Sequence, residues 1–333
     1  MDPLTQGLLG ASLPQSVSKK QNVVVAGALG LLSGMAPDLD VLIRSSTDPL
    51  LYLEFHRQFT HSLLFIPIGS LICALVLHPL IAKRQGLSFR QSWIFCALGY
   101  GTHALLDSCT SYGTQLFWPL SNARYAWNTV SIIDPVFTLP ILVLLVFGIL
   151  KRNPLFARVA FLWVLVYLTF GMIQRDRAEA AGWQLAQERQ HAPIKLEAKP
   201  SFANLLLWKV VYETEDSYYV DAVRVGTSVK TYTGESVAKL DVGRDFPWLE
   251  PASQQAKDIE RFRWFSNGYV AQDPTDELRI IDVRYSVVPN QLNALWSIRL
   301  SPTASEETHV EYATHRDNSA TSRALFFEML LDD

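Results

Sequence analysis

The chain has 333 residues, enough for one or two domains, with 29 Lys and Arg against 32 Asp and Glu for a formal net charge of −3. No basic block stands out, which argues against nucleic acid as a direct ligand. The three cysteines, Cys73, Cys96 and Cys109, fit neither a zinc knuckle nor a disulfide framework, and they leave the compartment of the C-terminal half open.

Up to about residue 175 the chain is apolar runs with short polar breaks; beyond it the composition is that of a soluble protein. Met1-Asp2-Pro3 opens without a basic stretch ahead of the first apolar run, so no cleavable signal is expected. Leu4–Val17 and Val23–Ala36 are short for a membrane pass, since about 15 residues of helix rise only about 22 Å. They are read as a helical hairpin turning at Ser18-Lys19-Lys20, with an interfacial amphipathic first helix as the alternative. Leu63–Ala82, Trp93–Cys109, Ile132–Leu150 and Leu155–Ile173 each approach the ~20 apolar residues that cross a bilayer.

Basic residues cluster in alternate loops: Lys19-Lys20, then Lys83-Arg84 with Arg90, then Lys151-Arg152 with Arg158. The positive-inside rule places these in the cytoplasm, and so puts 38–60, 111–131 and everything after Arg175 outside. Arg44, Arg57 and Arg124 weaken this asymmetry without reversing it. Trp118, Trp127, Phe117, Tyr112 and Tyr125 in the second outer loop suit an interfacial belt. Arg175–Gln190 is expected to be a helix and His191–Pro200 a linker broken by Pro193 and Pro200. Leu205–Glu213, Tyr218–Val225, Leu278–Tyr285, Leu295–Leu300 and His309–Thr314 read as strands, and Ser253–Phe265 as a helix. The fold class is therefore an α-helical polytopic membrane bundle (1–175), a helix and linker (176–200) and a small α+β soluble domain (201–333).

On this threading Asp38, Asp40, His56, His61, His103, Asp107 and Asp134 all reach one face, at the ends of apolar runs. Titratable groups at membrane depth are costly unless paired or ligated, so they mark a site. In Pro37-Asp38-Leu39-Asp40 the proline ends a helix and two carboxylates follow that can hold a cation or orient a histidine. Such acidic pairs also occur as plain helix ends. His56 and His61 are five apart and do not share a helix face; they converge if His56 lies in the loop and His61 opens the next span. Thr60 or Ser62 is placed to cap that span.

His103 and Asp107 are four apart, hence on one helix face, inside the last turns of an apolar run. A structural His–Asp hydrogen bond explains that pair alone equally well; the clustering with the other acids and histidines favours a metal. Gly99 and Gly101 would let a neighbouring helix approach. Asp134, before Pro135, suits either a supporting role at the site or the cap of the next helix. His78 is expected to be a satisfied helix-end residue, and His191, His309 and His315 ordinary surface positions.

Met1-Asp2-Pro3-Leu4-Thr5-Gln6-Gly7-Leu8-Leu9-Gly10-Ala11, Pro37-Asp38-Leu39-Asp40, His56-Arg57, Thr60-His61-Ser62, His103-Ala104-Leu105-Leu106-Asp107, Tyr112-Gly113-Thr114-Gln115-Leu116-Phe117-Trp118-Pro119 and Ile133-Asp134-Pro135 occur in this order. Together they resemble the YdjM-type family of bacterial inner-membrane proteins, described as metal-dependent hydrolases and also as LexA-binding. The resemblance covers roughly the first 175 residues and implies a multi-pass inner-membrane protein with a metal site; it names no substrate. Many relatives carry histidine where Gln6 stands, so a nitrogen ligand is lost there, although the amide can still hydrogen-bond within the site. The tail resembles extensions in one branch of the family and brings no function with it.

Two function classes follow. In the first, a divalent metal, Zn by preference with Mn or Mg as options, is held by Asp38, Asp40, His56, His61, His103 and Asp107 and activates water. Asp40 would serve as base or ligand and Arg57 would hold an anionic head group, so the substrate is a lipid-derived ester or phosphoester at the outer bilayer surface. In the second, the polar cluster only locks the helices of a membrane scaffold or regulator whose tail, expected in the periplasm, recruits a protein partner. A cytoplasmic repressor would then have to meet the short inner loops.

Overall fold

The computed structural model describes residues 1–332 and divides into two units. Unit one comprises 1–42, 55–172 and 202–204; unit two comprises 43–54, 173–201 and the chain from 205 onward.

In unit one, Asp2 caps α1 (Pro3–Val17) by accepting the Thr5 N–H at 3.0 Å, with Pro3 in the first turn where its missing donor costs nothing. A 3₁₀ turn at Lys20–Asn22 reverses the chain into α2 (Val23–Met35), giving the expected hairpin. A second 3₁₀ turn, Ala36–Leu42, carries Asp38 and Asp40. After the short α3 (Leu51–Phe55) come α4 (Ile66–Leu77), α5 (Phe89–Cys109), α6 (Pro135–Leu150) and α7 (Leu155–Glu188). Ser88 and Gln91 form a capping box at the start of α5. Three helical stretches are long and apolar enough to cross a membrane: Lys20–Leu42, Leu63–Gln85 and Leu155–Glu188; Pro135–Leu150 is apolar but shorter. The 21-residue α5 is of spanning length, and its polar load is His103, Asp107 and their neighbours.

Small residues set the distance between α1, α2 and α5. A Cβ at Gly10 or at Gly99 would stand 2.5 Å from the Gly30 carbonyl oxygen, and one at Gly34 would stand 2.9 Å from Gly10 Cα. These backbones touch because nothing projects between them. Gly101 has no such role: its nearest neighbours are Ile66 side-chain atoms at 3.8 and 3.9 Å.

Unit two holds two antiparallel sheets. The first is ordered β1 (Lys195–Pro200), β2 (Leu207–Glu213), β3 (Ser217–Val225), β4 (Val229–Tyr232), with β5 (Ser236–Ala238) also pairing β3. Next come α8 (Val242–Asp245) and α9 (Gln254–Phe265). The second sheet follows as β6 (Val270–Asp273), β7 (Asp276–Asp282), β8 (Trp296–Arg299) and β9 (Glu311–Thr314), and the chain closes with α10 (Ala320–Leu331). Val211 and Val220 of the first sheet pack with Ala271 and Ile281 of the second. On α9, Ile259 and Phe262 cover Val270, Ile280 and Ile298, while Phe326 and Met329 of α10 lie against Leu207 and Ala222.

Two features depart from the sequence expectation. The stretch His191–Pro200 is not all linker: residues 195–200 form β1, whose register pairs Lys195 with Glu213 and Pro200 with Trp208. Pro200 is tolerated at a strand end, where no ladder donor is needed. Finally, 43–54 belongs to unit two, with Leu50 at 1% and Leu53 at 5% exposure inside its apolar cluster. Strands β4, β5 and β6 and helix α10 were not foreseen.

Candidate metal centre

Two 3₁₀ turns, the loop after α3 and one helix bring the acids and histidines of unit one together. Asp38 and Asp40 follow α2, His56 follows α3, His61 ends the turn Phe59–His61, and His103 and Asp107 lie one turn apart on α5. Ser62, not Thr60, caps the chain beyond His61, accepting the Phe65 N–H at 3.2 Å.

Four atoms face one another. His61 Nε2 lies 3.0 Å from His103 Nε2, 3.5 Å from Asp38 Oδ1 and 3.5 Å from Asp107 Oδ2. His103 Nε2 is 3.4 Å from Asp38 Oδ1 and 4.0 Å from Asp107 Oδ2. Ligand atoms around a tetrahedral zinc at ~2.0–2.1 Å stand about 3.3 Å apart, so this spacing is that of a coordination shell.

Hydrogen-bond partners assign the proton of His103 and leave its Nε2 an acceptor. His103 Nδ1 lies 2.6 Å from the Gly34 carbonyl oxygen, which can only accept, so the proton of the neutral ring sits on Nδ1. His61 Nδ1 is 3.0 Å from Thr60 Oγ1 and 3.2 Å from Asp40 Oδ2, the arrangement that orients a metal-binding imidazole through its far nitrogen. The two Nε2 atoms, 3.0 Å apart, share a proton when His61 is charged and donates to His103, and they are equally placed to share a metal ion. Asp107 Oδ2 is buried without a well-aligned hydrogen bond, faced by Arg57 Nε at 3.0 Å and His61 Nε2 at 3.5 Å, while Asp107 Oδ1 meets the Met1 amino group at 2.5 Å and accepts from Gln6 Nε2 at 2.8 Å. An oxygen left so has a lone pair to offer a cation.

Electrostatics agree. Burial alone would lower the His61 pKa, but Asp107, Asp38 and Asp40 raise it to about 10. The pocket therefore calls for a positive charge at that imidazole, which a divalent ion would supply with the ring neutral. Burial lowers the His56 pKa in spite of Asp40, leaving a neutral ring.

Asp38, Asp40 and His56 form a second group able to hold an ion, and it shares Asp38 with the first. Asp40 already has several partners: Oδ1 lies 2.7 Å from His56 Nδ1, while Oδ2 accepts the Arg57 N–H at 3.1 Å and the Thr60 hydroxyl at 2.7 Å. It ties both loop histidines together. Arg57 is built into the wall, 3% exposed, with Nε 3.0 Å from Asp107 Oδ2, Nη1 donating to Thr110 Oγ1 at 3.1 Å and the guanidinium over the Tyr112 ring. The Gln6 side-chain amide donates to Asp107 Oδ1 at 2.8 Å.

Asp134 stands apart. It caps α6 by accepting the Val136 and Phe137 N–H groups at 3.1 and 3.2 Å, and it accepts the Tyr167 hydroxyl at 2.8 Å. His78 pairs with Ser92 Oγ at 2.9 Å. His191, His309 and His315 are half-buried and bonded to Tyr212, Asp258 and Ser297 respectively, more engaged than surface positions would be. Sequence reasoning missed the Gly34 carbonyl that fixes the His103 tautomer, the Met1 amino group on Asp107, Thr110 beside Arg57, and Gln115, whose backbone N–H donates to the Arg57 carbonyl at 3.0 Å and whose buried side-chain amide lacks a hydrogen bond among the described residues. Its place in the Tyr112–Pro119 motif was the available signal.

The chain is 24% identical over 283 residues to the uncharacterized protein YfhP of Bacillus subtilis (strain 168), covering 83% of this chain and 82% of that one. It is 32% identical over 107 residues to the inner membrane protein YbcI of Escherichia coli (strain K12), covering 31% of this chain and 60% of that protein. No solved structure matches it. The family model of the YdjM inner membrane protein matches residues 1–178, which include every residue of the cluster. With a candidate metal cluster set among membrane-length helices and more than half of its sequence matched, the chain belongs to the YdjM inner membrane protein family.

Proposed function

We propose that this protein is a multi-pass, metal-dependent hydrolase of the inner membrane, acting at the outer bilayer surface on a lipid-derived ester or phosphoester. The observation that supports the reading is the pair of imidazole nitrogens 3.0 Å apart, the His103 ring held by its far nitrogen on the Gly34 carbonyl, with two carboxylates around them. His61, His103, Asp38 and Asp107 would hold the first ion, and Asp38, Asp40 and His56 are placed for a second. When bound, a divalent ion of this kind lowers the pKa of water and polarises an ester or phosphoryl oxygen. Asp40 keeps His56 and His61 oriented. Arg57 steadies Asp107 and adds positive charge where an anionic head group would sit. Zinc suits the mixed nitrogen and oxygen donors best, with manganese next.

Detergent-purified protein reloaded with Zn or Mn is expected to hydrolyse members of a panel of phospholipids and lipid-carrier phosphoesters, with activity abolished by a chelator. Metal-replete protein inert across the whole panel would sink the hydrolase reading and leave a scaffold whose polar cluster locks its helices.

The same reading places unit two in the periplasm. The basic pairs Lys19-Lys20, Lys83-Arg84 and Lys151-Arg152 occupy the turns α1–α2, α4–α5 and α6–α7, alternating along the chain with the connections that carry the cluster. Alkaline phosphatase fused after Arg177 is expected to be active, and a cytoplasmic reporter at the same point dark. The reverse pattern would move the cluster to the cytoplasmic face.

A further inference from the structure

The segment 43–54 leaves unit one three residues after Asp40 and returns to it directly before Phe55-His56-Arg57. Both of its ends therefore lead straight to residues of the metal cluster. Within unit two the segment is held in two ways. Leu50 and Leu53 are buried with Ile259, Phe262, Ile298 and Val310. Arg261 on α9 donates from Nε to Glu54 Oε1 at 2.5 Å, and from Nη1 and Nη2 to Asp48 Oδ1 and Oδ2 at 3.0 and 2.8 Å. The guanidinium is held in turn by Asp258 at 2.9 Å, and Asp258 also accepts the Val310 N–H and meets His309 Nδ1 at 2.8 Å. Asp48 orders the turn as well, since its carboxylate accepts the Leu50 and Leu51 N–H groups at 2.9 and 3.2 Å. A bidentate pair on Asp48 with a second carboxylate on the same guanidinium is a fixed geometry rather than a loose surface contact.

We infer that the C-terminal unit is a clamp on the metal-site loop, with Arg261 as its chief positioning residue: by gripping 43–54 it sets how Asp38 and Asp40 on one side, and His56 and Arg57 on the other, are presented to the ions. This rests on the metal reading above. It gives the tail a role in the site without placing any tail residue in it. A chain of twelve residues left free between the two half-sites would have to be ordered each time a metal bound, at the expense of affinity.

The test uses the full-length protein in detergent, with Zn affinity from competition against a chelator and hydrogen exchange over 43–54. Arg261→Ala is expected to speed exchange in that segment and to raise the Kd for zinc roughly tenfold or more. Arg263→Ala, two residues along α9 and paired with the exposed Glu260, is expected to change neither. Arg261→Lys, which keeps a positive charge for Asp48, Glu54 and Asp258 but loses the forked geometry, is expected to retain part of the affinity, which a merely unfolded tail would not do. Leu53→Ala serves as an independent way of loosening the segment. Faster exchange in 43–54 with wild-type zinc affinity overturns the inference, as does unchanged exchange in both Arg261→Ala and Leu53→Ala. Wild-type protein that binds no metal would instead sink the metal reading itself, and that arm is read before any variant.

Discussion

Purified wild-type protein is expected to bind zinc stoichiometrically, and His103→Ala or Asp107→Ala to weaken binding by roughly 100-fold or more, beyond the 10–100-fold that changes to supporting partners cost. The expectation follows from their places in the shell: His103 Nε2 faces His61 Nε2 at 3.0 Å, and the buried Asp107 Oδ2 lies 3.5 Å from the same nitrogen. Asp40→Asn should cost about 10–100-fold, because an amide still bonds Thr60 but orients the imidazoles of His56 and His61 poorly. His78→Ala removes only a hydrogen bond to Ser92 and should leave metal content unchanged. Full metal with unaltered affinity in His103→Ala would mean that the ion, if any, lies elsewhere. Elemental analysis and competition titration on the same preparations give the numbers, and resistance to proteolysis reports that each variant has still inserted and folded.

Gly99→Val is expected to be more damaging than any of these. Its Cβ would press on the Gly30 carbonyl oxygen and on Ser33 Oγ, both at 2.5 Å, so α2 and α5 would have to separate. Overpacking of this kind costs about 1–3 kcal/mol where neighbours can give, and more where the neighbour is backbone. The same separation withdraws the Gly34 carbonyl from His103 Nδ1 and frees the ring to take the wrong tautomer. Metal should be lost and protease resistance with it. Gly101→Val, two residues on, meets only the Ile66 side chain at 3.8 Å and should be nearly silent. Equal behaviour of the two variants would show that helix approach at Gly99 does not govern the site.

This contrast also marks how far the sequence can be read. Both glycines look alike in Gly99-Tyr100-Gly101, and only the packing of α2 separates them. The spacing of His103 and Asp107 is legible because helix periodicity fixes which side chains share a face. The convergence of Pro37-Asp38-Leu39-Asp40 with His61 was legible because acids and imidazoles at membrane depth need partners. Asp134 was ambiguous between site and cap because one pattern, an acid before Pro135, serves both; its bonds to Val136 and Phe137 decide for the cap. Strand β1 was hidden because Lys195-Leu196-Glu197-Ala198-Lys199 offers only Leu196 and Ala198 to one face and sits between two prolines. The allegiance of 43–54 to unit two could not be read at all, because pairing Asp48 and Glu54 with Arg261 spans more than 200 residues and no local pattern announces it.

Arg57 carries a consequence for how such a protein evolves. Its backbone has φ 66°, in the left-handed region that favours glycine, which for another residue costs roughly 1 kcal/mol or more. A glycine there would relax the main chain by that amount, while taking away the guanidinium beside Asp107 and Thr110. Arg57 is 3% exposed and Asp107 is fully buried, and breaking a buried ion pair costs about 3–5 kcal/mol. The exchange is therefore a net loss, and a backbone that invites glycine is held by arginine through its ion pair.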